Sequence, residues 1–370
     1  MIPSTIRYGE TLLQGLYPSM GEDEILQLLK ETWSRSYAFE DYTHFRESPC
    51  IGKYVNVDPN GFRRSKNQAS WPPDREKYFV IFIFGGSTAF GYGVPDDQTI
   101  ASHLQDFLSA GALKKAAAVY NFGRGHYYST QERILFEQLV AAHRLPDVAL
   151  FIDGLNEFFY YENEGTAVSK SFEKFLAGDI RQLWFKELRK RSRVIQTFRV
   201  IRKTVKDGLF DRDMGPAKER YRDSHPAKLM RCIERYTLNK RMIEAVSSSF
   251  NTKSIFVWQP VPTYQYDLTL HPFGKAGFGR HGYSAVGYPM MWEYVQNHPL
   301  GENFLWCAQI QKDTQEALYV DLAHYSPMMS KEFARFIYDW MVKRNRLTSN
   351  LVNAPSEKSE QILKINQEST

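Results

Sequence analysis

A chain of 370 residues, 43% of them hydrophobic, can bury one substantial core with insertions, or two modest domains. Its net charge of only +5 gives no general reason to expect a nucleic-acid partner. The three cysteines, Cys50, Cys232 and Cys307, lie far apart without any C-x-x-C pair, so no disulfide framework or zinc site follows from them, and no cofactor is expected.

No basic start followed by an apolar stretch opens the chain, and nowhere do about 18 apolar residues run together. As written it is expected to be soluble, without an export signal, and cytoplasmic by default. A chain trimmed of an N-terminal anchor would read the same way.

Residues 1–75 read as an irregular segment that packs on the core. Its one hairpin-like stretch is KYVNVDPNGFRR, where Asp58-Pro59-Asn60-Gly61 carries turn chemistry. Regular patterning begins at Tyr78. YFVIFIF (78–84) is apolar on both alternating faces and predicts a buried strand, followed by a helix over about 98–110. AAAVYNF (116–122) predicts a second strand. Ser129-Thr130-Gln131-Glu132 fits a capping box, and Ile134, Leu135, Leu139 and Val140 continue it as a helix to His143. DVALFID (147–153), SIFVWQPV (254–261) and a short ALYVD (317–321) predict three further strands. Such alternation favours a three-layer α/β/α domain over residues 76–346, with a parallel, flavodoxin-like five-stranded sheet.

Two segments interrupt this scheme: 160–245, mostly helical and basic, and 262–300, rich in Gly, Pro and aromatics. The tail after Arg346 is polar and is expected to be mobile.

In a parallel sheet, ligands gather at the carboxyl ends of the strands. Here those ends read Gly85-Gly86-Ser87-Thr88, Asn121-Phe122-Gly123-Arg124-Gly125, Asp153-Gly154-Leu155-Asn156-Glu157 and Asp321-Leu322-Ala323-His324. A hydroxyl, a flexible backbone, an amide, and an acid with an imidazole are the parts of an acyl-transfer site. Serine needs an adjacent base, which His324 supplies, and the base needs a partner to fix its tautomer, for which Asp321 is placed. Ser87 N–H, a glycine N–H and the Asn156 amide are suited to hold a developing oxyanion.

These blocks resemble the SGNH, or GDSL, hydrolase family: Gly86-Ser87 after the first strand, Gly154-x-Asn156 after the third, and Asp321-x-x-His324 near the C-terminus. The resemblance covers roughly residues 78–345 without the two insertions. It implies a serine esterase working through an acyl-enzyme, with Ser87 as nucleophile, His324 as base and Asp321 as orienting acid. Ser87, Gly125 and Asn156 would form the oxyanion hole, with Gly123 serving the turn. The first block departs from the family in reading G-G-S-T, so no aspartate precedes the serine.

Simpler readings stand beside these. Ser87 alone is a small residue that fits a bend, Asn156 alone is a turn residue, and Asp321 alone could cap the following helix. His126, His271 and His281 lack an Asp at comparable spacing and read as surface or substrate-loop residues. GGSTAFGYG has neither the P-loop ending nor dinucleotide-turn spacing. An α/β-hydrolase elbow would follow earlier strands and keep its acid and base in separate loops.

Residues 181–206 hold ten Lys or Arg against one Glu, with Trp184, Leu188, Ile195, Phe198, Ile201 and Val205 at helical spacing. Such a helix either packs on the body with a solvated charged face or touches a membrane surface or an anionic polymer. The 262–300 segment is either a lid at the pocket mouth or a packed aromatic loop. The expected substrate is a small acyl ester on a polar or carbohydrate carrier. An O-acyltransferase, or a non-catalytic carbohydrate-binding or assembly protein, would show the same blocks.

Overall fold

The structure, a computed structural model, describes residues 10–111, 113–161, 226–275, 277–344 and 347. The basic stretch 181–206 and the tail 348–370 lie outside the described residues.

The first strand of the sheet is buried along almost its whole length because both alternating faces of Tyr78–Gly85 are apolar. Counting the N-terminal hairpin first, with β1 Tyr37–Glu40 antiparallel to β2 His44–Glu47, this strand is β3. It is followed by β4 Ala116–Asn121, β5 Val148–Asp153, β6 Lys253–Trp258 and β7 Phe304–Trp306. The five pair in parallel in the order β4-β3-β5-β6-β7. Residues of odd and even position serve opposite faces. Ile81, Ile83, Leu150, Ile152, Ile255 and Val257 pack with the helices Ile100–Ala110 and Pro327–Lys343. Phe82, Phe84, Phe151 and Phe256 pack with Ser129–Ala141 and Pro226–Ser249. The result is the expected three-layer α/β/α arrangement.

In chain order the helices are α1 Glu10–Leu16, α2 Glu22–Trp33, α3 Ser87–Phe90, α4 Ile100–Ala110, α5 Ser129–Ala141, α6 Leu155–Phe159, α7 Pro226–Ser249, α8 Ser284–Asn297 and α9 Pro327–Lys343.

Four expectations change. The fifth strand is β7, not ALYVD. That stretch makes a single antiparallel bridge, Tyr319 to Tyr325, and reverses the chain between them. The N-terminal segment is not irregular: α2 buries Ile25, Leu28, Leu29 and Thr32 at helical spacing and carries three acids in its first turn, where they suit the helix dipole. Residues 226–245 of the basic insertion belong to α7, a core helix of the outer layer, and about a third of the 262–300 loop is α8. Finally, α5 begins at Ser129 with Tyr128 as its cap residue and Gln131, not Glu132, closing back on the Tyr128 amide. Glu132 turns inward and is buried.

The turn at Asp58-Pro59-Asn60-Gly61 forms as expected, with Gly61 N–H donating to Asp58 O at 2.9 Å and Gly61 at φ +86°. It leads to Arg63, which is fully buried. Arg63 donates to the carbonyls of Phe90, Gly91 and Val94 and pairs with Asp96, so the N-terminal segment grips the loop that follows α3. Leu13, Tyr17, Ile25 and Leu28 extend this contact, packing with Phe90, Tyr92 and Val320.

Candidate active site

β3 ends at Gly85, and Gly86 becomes the cap residue of the short helix that begins with Ser87. Phe90 N–H donates to Gly86 O, and the N–H groups of Gly91 and Tyr92 donate to Ser87 O, which fixes a tight bend with Gly91 at φ +93°. Gly86 is confined by a different cause. A Cβ there would lie 2.4 Å from Asn156 Nδ2 and 3.1 Å from Tyr127 O. The missing aspartate of the G-D-S-L wording therefore has no room in this arrangement.

At the other end of the chain, Val320 N–H donates to His324 O and Ser326 N–H to Leu318 O. This reversal brings Asp321 and His324 to one side. Asp321 Oδ1 accepts from the Ala323 and His324 amides, each at 2.9 Å, and the carboxylate lies 2.7 Å from His324 Nδ1 through Oδ2. His324 Nε2 is 2.8 Å from Ser87 Oγ, across 237 residues of sequence. Ser87, His324 and Asp321 thus form one continuous hydrogen-bonded line. Asp321 does not cap α9: Ser326 does, its Oγ accepting from Met329 N–H.

Burial alone would raise the Asp321 carboxyl. The charge of protonated His324, its hydrogen bond and the two backbone amides outweigh that and bring the pKa down to about 2. Asp321 therefore stays ionised, as an acid that orients a base must.

The candidate oxyanion donors are placed less simply. Ser87 N–H, the first amide of α3, and His126 N–H donate to no acceptor among the described residues. Asn156 sits in α6 and gives one Nδ2 hydrogen to Tyr127 O at 2.6 Å, leaving a second on the same nitrogen. Gly125 departs from expectation: its N–H donates to the buried Glu47 carboxylate at 2.7 Å, so that amide is already occupied. Gly123 N–H is bonded to Asn121 Oδ1 within the turn. The next residue, His126, has a left-handed backbone at φ +70°, uncommon for a residue with a side chain and found at functional sites.

Two histidines read from sequence as surface or loop residues stand beside this line. Burial, then the neighbouring His324, lowers the imidazole pKa of His281 to about 4 and that of His126 in the same direction. Both are neutral near pH 7. His126 Nδ1 lies 3.1 Å from the Tyr160 hydroxyl, and His281 packs on Phe159. His271 is buried on the Asp321 side, stacked on Tyr319, its Nδ1 accepting from Phe273 N–H. Sequence spacing could not reveal His126 and His281, whose loops meet only in the folded chain. Among the described residues no cluster of three or more His, Cys, Asp or Glu is arranged to hold a metal ion, and no helix is long and apolar enough to cross a membrane.

No sequence-family model matches the chain, and no curated protein matches it. Solved structures do. An acetyl xylan esterase shares 10% identity over 70% of this chain and 98% of its own, with a TM-score of 0.40. A lipase/acylhydrolase from Enterococcus faecalis shares 15% over 72% and 96%, with a TM-score of 0.37. A structure from Desulfitobacterium hafniense, assigned only by family as a lipolytic protein of the G-D-S-L family, shares 9% over 71% and 99%, with a TM-score of 0.37.

Proposed function

We propose that this chain is an SGNH-type serine ester hydrolase. The observation that carries the reading is the line from Ser87 Oγ to His324 Nε2 at 2.8 Å and from His324 Nδ1 to Asp321 Oδ2 at 2.7 Å. Those are the distances at which a hydroxyl, its general base and the orienting acid can act together.

In this mechanism Ser87 Oγ attacks the ester carbonyl while its proton passes to His324 Nε2. The oxyanion is held by Ser87 N–H, the free Asn156 hydrogen and His126 N–H, which replaces Gly125 in that role. His324 then returns the proton to the departing alcohol, leaving an acyl-enzyme. Water, deprotonated by the same imidazole, releases the acid. A sugar hydroxyl in place of that water would make the enzyme a transferase, and analysis of products in the presence of free sugar separates the two.

The substrate in this reading is a small acyl ester, acetyl above all, on a polar or carbohydrate carrier. Neutral His126 and His281 with the Tyr160 hydroxyl offer hydrogen bonds without charge, which suits hydroxyl-bearing ligands. Wild-type protein is expected to take a fluorophosphonate label and to cleave p-nitrophenyl acetate faster than longer acyl esters. Ser87→Ala is expected to lose both by several orders of magnitude. Wild type that neither labels nor turns over any short ester contradicts the proposal.

A further inference from the structure

The hydrogen bonds of His324, at Nδ1 with both Asp321 oxygens and at Nε2 with Ser87 Oγ, hold only the edge of its ring. They define an axis about which the imidazole can still tilt. What meets the ring elsewhere is aromatic: Tyr92 stacks on it with centroids 5.2 Å apart and planes 21° from parallel, and Trp33 meets it at 5.5 Å and 71°. Trp33 and Tyr92 also brace each other edge to face at 5.2 Å.

We propose that Trp33 and Tyr92 are positioning residues that clamp His324 in the plane joining Asp321 to Ser87, so that the N-terminal segment is part of the catalytic unit. The proposal rests on reading His324 as the base.

Both rings are themselves held from the N-terminal side. Trp33 ends α2, which is anchored by Ile25, Leu28 and Leu29. The Tyr92 hydroxyl donates to Glu47 Oε1 at 3.3 Å and lies 3.4 Å from that of Tyr37, both from the β1–β2 hairpin. The Arg35 guanidinium sits 4.8 Å from the Tyr92 centroid. Glu47 therefore links Tyr92 to Gly125, whose backbone lies against the Tyr92 hydroxyl.

A clamped ring serves catalysis in two ways. It keeps Nε2 aimed at Ser87 Oγ, where a misplacement of about 1 Å costs up to roughly a hundredfold in rate. Aromatic surfaces also favour the imidazolium formed as the serine proton arrives. The other titratable groups near the ring are Asp321, His126 and His281, with Tyr17 and His271 beside Asp321 and with Arg35, Tyr37 and Glu47 beyond Tyr92.

The test uses the full chain and p-nitrophenyl acetate. Tyr92→Leu and Trp33→Ala are expected to lower kcat roughly tenfold to a hundredfold with KM within about twofold. Tyr92→Phe and Trp33→Phe, which keep a ring in place, are expected to recover kcat to within about threefold of wild type.

A second readout does not depend on turnover or on the truncations folding. An imidazole quenches an indole it touches, so the emission lost in Trp33→Phe should be brighter in His324→Gln, where no imidazole stands beside Trp33. Folded truncations with wild-type kcat, or Trp33 emission indifferent to His324, overturn the clamp. Wild-type protein that takes no fluorophosphonate overturns the esterase reading and the catalytic role of the clamp together, whereas normal labelling with unchanged kcat in the truncations overturns the clamp alone.

Discussion

Gly86 shows how one missing side chain can decide the wording of a motif. With Asn156 Nδ2 2.4 Å from where its Cβ would lie, any larger residue pushes the amide away from Ser87. Gly86→Asp, which restores the G-D-S-L wording, is expected to lower kcat on p-nitrophenyl acetate at least roughly tenfold with little change in KM, as loss of one oxyanion donor does. Asp321 carries the complementary electrostatic prediction. Its folded pKa of about 2 is below the ordinary 3.8, so its ionised form stabilises the fold above about pH 4 and this contribution disappears as pH falls towards 2. Asp321→Asn should therefore melt below wild type near neutrality, with the gap closing on acidification. Its kcat is expected to fall by roughly 10³ to 10⁴, because the imidazole loses its fixed tautomer.

β5 lies at the centre of the sheet, and Phe151 stacks between Phe84 of β3 at 4.8 Å and Phe256 of β6 at 5.3 Å. The parallel register places these three side by side. Phe151→Ala is expected to cost about 3–5 kcal/mol in urea unfolding, since so dense a row cannot close over the cavity. The far end of β5 meets α5 in a different way. Glu132 has no hydrogen-bond donor among the described residues, and its neighbour is the buried Asp153 carboxyl, with Glu157 nearby held by Arg235. Burial first, then repulsion within this cluster, raises both Glu132 and Asp153 well above the carboxylate range, so each favours its protonated form. A raised folded pKa gives stability that is complete below about 4.5 and is lost as pH rises through the raised value. Glu132→Gln is expected to flatten the decline of melting temperature on the alkaline side, and an unchanged slope in thermal scans would count against a protonated Glu132.

The N-terminal segment and the sheet form one structure because two buried arginines join them. Arg63 binds three carbonyls and Asp96 in the loop after α3; Arg124, at the end of β4, pairs with Glu40 of β1 and donates to the Tyr127 hydroxyl. Removing one member of such a set leaves several buried acceptors without a donor. Arg63→Ala is expected to cost about 3–5 kcal/mol by urea unfolding and to depress kcat even where the protein remains folded, because Tyr92 lies on the loop that Arg63 grips. The two effects belong together: what stabilises the segment also shapes the site.

Much of this architecture was legible in the chain. Buried strands such as YFVIFIF and DVALFID announce themselves because both faces are apolar, and a parallel sheet places the residues that follow them at one edge. Ser87 and Asn156 could therefore be named from their positions after strands, whereas Asp321 and His324 are named by their D-x-x-H spacing, the stretch before them making only a bridge. β7 was missed because three residues carry too little pattern, and α2 because its apolar stripe stands alone before the sheet begins. Gly125 reads as an oxyanion donor until Glu47, 78 residues away, is seen to hold its N–H. His126, His281, Trp33 and Tyr92 have no motif of their own. Periodicity and strand-end chemistry are local and survive in one dimension; which amide is free, which imidazole is neutral and which rings face His324 depend on contacts between distant segments, and only folding creates those.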